Sequence, residues 1–208
     1  MIFNPLLKFF HDGGFTFMVP LLVLSILSLA VILERIYFLV KQVAGFERTE
    51  TAFKGTKEMQ SLLHTTQDGK MEKTVIGVIL KEAFFVFRKN NGNHSLEKNI
   101  KIYADKYTPL LVQRLWLLRA IGHVAPLVGL TGTVVGLAMA FRGIAEAGLS
   151  QQNVASGIAM ALNTTIMGLV IALPTLFAEH CLRAYAQSHF QRIRTILDEV
   201  VLHFGEQR

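Results

Sequence analysis

Three stretches of this chain run for about twenty residues without Asp, Glu, Lys or Arg, and between them polar and apolar positions return with a helical period. Phe15 to Leu33 is the first, closed by Glu34, Arg35 and Tyr37. Ala120 to Phe141 and Val154 to Ala178 are the second and third. A bilayer core of about 30 Å needs about 20 apolar residues at about 1.5 Å each, so all three predict membrane-crossing helices. The first is rich in Leu, Ile and Val, as a lipid-facing helix should be. The other two carry small residues and threonines instead.

Helical spacing gives those small residues a common direction. Gly122, Pro126, Gly129, Thr133, Gly136 and Ala140 recur at steps of three or four, as do Gly157, Ala161, Thr165, Gly168 and Ala172, so each helix presents one slim face with a hydroxyl near its middle. Thr133 and Thr165 fall at depths differing by only about 5 Å. One reading makes the stripes packing seams, because small residues let backbones approach in lipid. The other makes the matched hydroxyls a polar belt around a central space.

The runs HVAPLVGLTGTVVGLAMAF and GIAMALNTTIMGLVIALP, which fill most of the second and third spans, resemble the paired signature of the ExbB/TolQ/MotA proteins, the large subunits of ion-driven motors. The resemblance implies a homopentamer whose second and third membrane helices surround a dimer of single-span ExbD/TolR/MotB-like subunits carrying an Asp. It also implies a TonB/TolA-like protein as a further partner. By position, Thr133, Thr165, Thr164 and Asn163 become ion-pathway residues, and Gly129, Gly136, Ala161, Gly168 and Ala172 the small residues facing the pore. Met160 stands where ExbB and TolQ usually have a glutamate, so the titrating group has to come from the partner. Hydroxyl and amide oxygens suit a proton or sodium alike. Two other functions fit the same stripes: a flagellar-stator-like MotA-type subunit and a non-conducting membrane scaffold.

Charge sets the orientation. Fourteen Lys and Arg lie between Lys41 and Arg119 and four follow the last span, against Lys8 before the first and Arg142 in the turn. Positive residues stay inside, which places the N-terminus in the periplasm and the C-terminus in the cytoplasm of a bacterial inner membrane. The predicted organisation is an interfacial amphipathic helix over 1–14 and membrane helices over 15–39, 120–141 and 154–178. A cytoplasmic helical loop covers 40–119, a periplasmic turn 142–153 and a cytoplasmic helix 179–208. The fold class is thus an all-α membrane protein with three transmembrane helices and long helices extending into a cytoplasmic helical bundle. MotA-type chains generally have an additional span, so ExbB and TolQ fit better.

Within the loop, VIGVILKEAFFVFR has an apolar face that needs a partner, Ser95 is placed to cap a helix, and helical character runs from there directly into the second span with Pro109 as its main irregularity. The tail repeats apolar residues at Leu182, Tyr185, Phe190, Ile193, Leu197, Val200 and Val201. Lys98, Lys101, Lys106, Arg114 and Arg119 read as a solvated face and headgroup anchor, with anionic lipids as a partner.

With 51% hydrophobic and 17% charged residues and a mean hydropathy of +0.41, composition agrees with a multi-span protein. The net charge of +6 follows membrane topology and implies no nucleic acid. His123, near the inner mouth of the second span, is a candidate proton relay. No nucleophile with a base, no phosphate-cradling loop and no metal-ligand spacing occurs, so no enzymatic activity, cofactor or metal is expected.

Overall fold

The computed structural model describes residues 14–55, 74–89, 96–147 and 151–205. These form helices α1 (Phe15–Gly55), α2 (Val75–Lys89), α3 (Leu96–Tyr107), α4 (Leu115–Ala147) and α5 (Gln151–Gly205), with a 3-10 turn at Thr108–Leu111. No strand occurs among the described residues, and three of the helices are long and apolar enough to cross a membrane. The chain is an all-α membrane protein. The predicted interfacial helix falls almost wholly outside the described residues, as does the Ser95 cap.

Two compact units emerge, Met1–Leu33 with Arg114–Cys181, and Glu34–Gln113 with Leu182–Arg208. In the first, α1 opens at Gly14, whose φ of 75° is a left-handed conformation that suits glycine and whose carbonyl accepts from the N–H groups of Phe17 and Met18. Leu21 and Leu24 of α1 pack against Ile121, Ala125 and Val128 of α4 and Met167, Ile171 and Ala172 of α5.

The second unit has a core of large side chains. Leu39 and Phe46 come from α1, Ile76, Ile79, Leu80 and Phe84 from α2, Ile100 from α3, and Ile193, Leu197 and Val200 from α5. The apolar face of α2 therefore finds its partners, and α5 continues from the third span as one helix. Gln42 fixes the start of α2 by accepting the Val75 N–H at 2.9 Å, and the Thr74 hydroxyl accepts from Gly77 at 3.2 Å, an N-cap that the sequence pattern does not predict. Tyr185, expected in the core, is exposed, and Ala186 and His189 are buried in its stead.

The helix expected to run unbroken from Ser95 into the second span is interrupted. Pro109 has no N–H to give the carbonyl one turn back, so the chain tightens into a 3-10 turn in which Val112 donates to the Pro109 carbonyl and the Thr108 hydroxyl to that of Ala104. Arg114 then adopts a φ of 68°, and its carbonyl accepts from Leu117 as α4 begins.

Candidate ion-pathway site

The glycines of α4 and α5 bring two backbones together. A Cβ on Gly129 would sit 2.8 Å from the Thr164 carbonyl oxygen, and one on Gly168 would sit 2.7 Å from that of Ala125. Gly136 and Gly157 meet in the same way near the other end, a Cβ on the former lying 2.9 Å from the latter's carbonyl oxygen. Gly129, Gly136, Ala161, Gly168 and Ala172 are all buried. Within the chain, then, the small-residue stripes close the seam between α4 and α5, and only the edges of that seam stay open.

Which edge matters follows from the helical step of about 100° per residue. On α4, that step puts Val128 to one side of Gly129 and Thr133 to the other; on α5, Ile171 and Thr165 flank Gly168 in the same way. Val128 and Ile171 pack toward α1. Thr133 and Thr165 therefore share the edge turned away from α1, and both are half-buried.

Their hydroxyls are already engaged. Thr165 donates across the seam to the Gly129 carbonyl at 3.3 Å, and Thr133 donates to the Leu130 carbonyl of its own helix. A carbonyl oxygen only accepts, so each threonine spends its hydrogen on the backbone and keeps its lone pairs for a guest. A protonated carboxyl, a water or a cation satisfies such a pair, and a bare carboxylate does not.

Two of the expected pathway residues lie elsewhere. Thr164 is 0% exposed, wedged against Gly132, and its hydroxyl bonds back to the carbonyls of Met160 and Ala161. The TT pair of the sequence thus divides, because adjacent helical residues point about 100° apart: one hydroxyl fills the α1 side of the seam and the other its open edge. Asn163, two residues before Thr165, points to nearly the opposite side of α5. His123 is exposed on α4 with Nδ1 2.7 Å from the Arg119 carbonyl, which assigns the hydrogen on that nitrogen and leaves Nε2 outward.

At the end of the hairpin stands a pair that the sequence reading does not join. Glu179 is 0% exposed and its Oε1 accepts from the Arg119 guanidinium at 3.1 Å, while the His180 Nδ1 lies 3.2 Å from its Oε2. Arg119, expected to be a solvated headgroup anchor, instead bridges the two helices. The signal is present in the chain: Arg119 immediately precedes one span and Glu179 immediately follows the next, and an antiparallel hairpin makes such positions neighbours. Each lies fourteen residues from its helix's threonine. Contact at this end therefore sets Thr133 and Thr165 at one level, about 21 Å away. A cavity of about 300 Å³ lies in the second unit between Thr108, Leu111, Arg183 and Phe190, and borders none of these groups.

Residues 67–195 match the model of the MotA/TolQ/ExbB proton channel family. The chain belongs to that family. It is 28% identical over 190 residues to biopolymer transport protein exbB1 of Vibrio cholerae, covering 88% of this chain and 82% of that one. It is also 38% identical over 66 residues to biopolymer transport protein ExbB of Aquifex aeolicus, covering 31% of this chain and 45% of the relative. With the Tol-Pal system protein TolQ of Pseudomonas aeruginosa it shares 40% identity over 91 residues, 41% of this chain and 38% of the other. Both signature runs lie inside the matched region, and so do the threonine edge and the Glu179 pair. As a member of that family, with relatives named ExbB and TolQ, the chain is a subunit of the ion-driven motor type.

Proposed function

We propose that this protein is the large subunit of an inner-membrane motor of ExbB/TolQ type, in which five copies ring a dimer of single-span ExbD/TolR-like subunits and proton flow energises outer-membrane transport or envelope work. The observation that carries the reading is the level pair of threonines on the edge away from α1, their lone pairs outward. A partner Asp that arrives protonated donates its O–H to one of these oxygens. When it loses the proton the two oxygens no longer suit it, so the partner helix is driven to turn or shift relative to the ring. Sodium fits the same oxygens. A bare carboxylate does not, which ties the state of the Asp to the position of the helix.

In this reading the N-terminus lies in the periplasm and the C-terminus in the cytoplasm, which the distribution of Lys and Arg supports. A TonB/TolA-like protein carries the work onward, and anionic lipids meet the basic residues at the inner face. The roles of the stripe and of the threonines differ: the glycines close the protomer and the two hydroxyls serve the ion. Thr164 belongs with the glycines.

The test replaces hydroxyl by methyl at constant shape. Thr133→Val and Thr165→Val leave the complex assembled with its partner, as chain counting by native mass spectrometry reports, and abolish ion-driven work. Thr164→Val, in the closed seam, retains work. Full activity in both Thr133→Val and Thr165→Val rules the reading out. Since the glycine seam within a single chain would equally serve a non-conducting scaffold, that outcome would leave the scaffold standing.

A further inference from the structure

The threonine edge accounts for the middle of the membrane and leaves a proton about 21 Å from the inner end of the hairpin. At that end lies the buried carboxylate of Glu179. On the helical wheel it falls beside Thr165, on the seam line of Ala161 and Gly168 where the other residues are small. Arg119, which holds it, stands further out than Thr133 on the same edge of α4, and its side chain is 52% exposed. His180, 79% exposed, carries the site to solvent, its Nδ1 placed 3.2 Å from Glu179 Oε2 and 3.3 Å from the Leu176 carbonyl. His123 is anchored on the carbonyl of Arg119 itself.

An ion pair with a fully buried carboxylate is a poor way to hold two helices together, because desolvation of the buried member consumes much of the attraction. Ionisable residues within membrane helices are rare and mark ion pathways and Asp/Glu/His proton relays, and here a buried carboxylate lies between an arginine and an exposed histidine.

We propose that Glu179 is a second proton-binding carboxylate of this motor, passing protons between the threonine edge and the water at the inner end of the hairpin, with Arg119 and His123 as positioning residues and His180 as the exit. This rests on the proposed motor function. A hydronium ion arriving along the edge gives its proton to Glu179: one O–H bond forms, one water is left, and Arg119 keeps its charge without a counter-charge. Next, the Glu179 O–H breaks as the proton goes to Nδ1 of a neutral His180 bearing its hydrogen on Nε2. The imidazolium sheds that Nε2 proton to water, and exchange of the exposed ring with water then moves the remaining hydrogen from Nδ1 back to Nε2, so that Nδ1 is ready for the next transfer.

The experiment uses the whole complex with its partner in proteoliposomes containing a pH-sensitive dye, paired with infrared difference titration of the same sample. Glu179→Gln lowers proton flux by about a hundredfold, the usual scale for losing a positioned acid–base group. It also removes a carboxyl C=O band that Thr165→Val retains. Glu179→Asp restores both, and His180→Gln, at an exposed position that does not threaten folding, slows flux several-fold. Undiminished flux in Glu179→Gln overturns the proposal, as does recovery of flux in the Arg119→Gln/Glu179→Gln double variant, which marks a static ion pair. Normal flux in Glu179→Gln alongside its loss in Thr165→Val sinks this inference alone. Where the unmodified complex moves no protons the motor reading fails, and the infrared band decides separately whether Glu179 binds one.

Discussion

The two units are held by opposite means. In the first, helices meet through what is missing: at Gly129 and Gly168 a single added methyl would strike a carbonyl oxygen of the facing helix. In the second, they meet through bulk, with Phe46, Leu39, Ile76, Ile79 and Ile193 almost wholly withdrawn from solvent. The solvents account for the difference. Water rewards burying a Phe or Ile side chain by about 1.5–3 kcal/mol, whereas lipid is as apolar as the side chain and rewards only close contact and backbone polarity. Large and small residues therefore exchange roles along a single helix, for α5 supplies Gly168 to one unit and Ile193 to the other.

Opposite changes of size should separate the two units most sharply. Phe46→Ala should cost the whole chain about 3–5 kcal/mol, read as a lowered thermal midpoint by circular dichroism in detergent, because a large core side chain leaves a void. Gly168→Val, which adds bulk, should cost about 1–3 kcal/mol by the same measurement, since the obstacle is backbone and cannot rotate away. A neutral Gly168→Val would mean that the seam is not close-packed.

Acid should act on the second unit through His189, which is buried edge-on to Phe46 with ring centroids 4.8 Å apart and lies outside the apolar spans. Burial, and then the nearby Arg192, lowers its pKa from the usual 6.5. Above 6.5 both folded and unfolded forms hold it neutral and nothing is lost. As pH falls below 6.5 the unfolded chain takes up the proton first, so stability declines until the folded pKa is passed. His189→Gln should flatten that decline in a thermal-midpoint titration carried from neutral to mildly acidic pH.

The smallest effect belongs to the turn that precedes α4. Arg114 holds a left-handed φ that costs an L-residue about 1–2 kcal/mol, and glycine there relieves it while gaining freedom when unfolded. Arg114→Gly should therefore stabilise the chain by less than about 1 kcal/mol in the same assay.

Much of this was legible in the chain itself. Uncharged runs located the three long apolar helices, and apolar positions at helical spacing located the face of α2 and the continuation of α5, because both depend on local composition. The interruption at 108–114 was not legible beyond Pro109, since Leu110, Leu111 and Val112 are compatible with a helix and only the backbone reveals the turn. Nor was the separation of Thr164 from Thr165. Both belong to one motif, and which faces inward depends on where a third helix, α1, lies. The Glu179 pair was hidden differently, because its two members are sixty positions apart and each suits the end of its own span.

Met160 has one further consequence. Its thioether lies over the start of α1, where a Cβ on Gly14 would come within 2.9 Å of the sulfur. The start of a helix carries its positive end. Were an acid to stand at 160, as in many kindred subunits, it would face the positive end of that helix. Here a soft, neutral sulfur occupies the place, so this position clamps that rim of the bundle and has no charge to exchange.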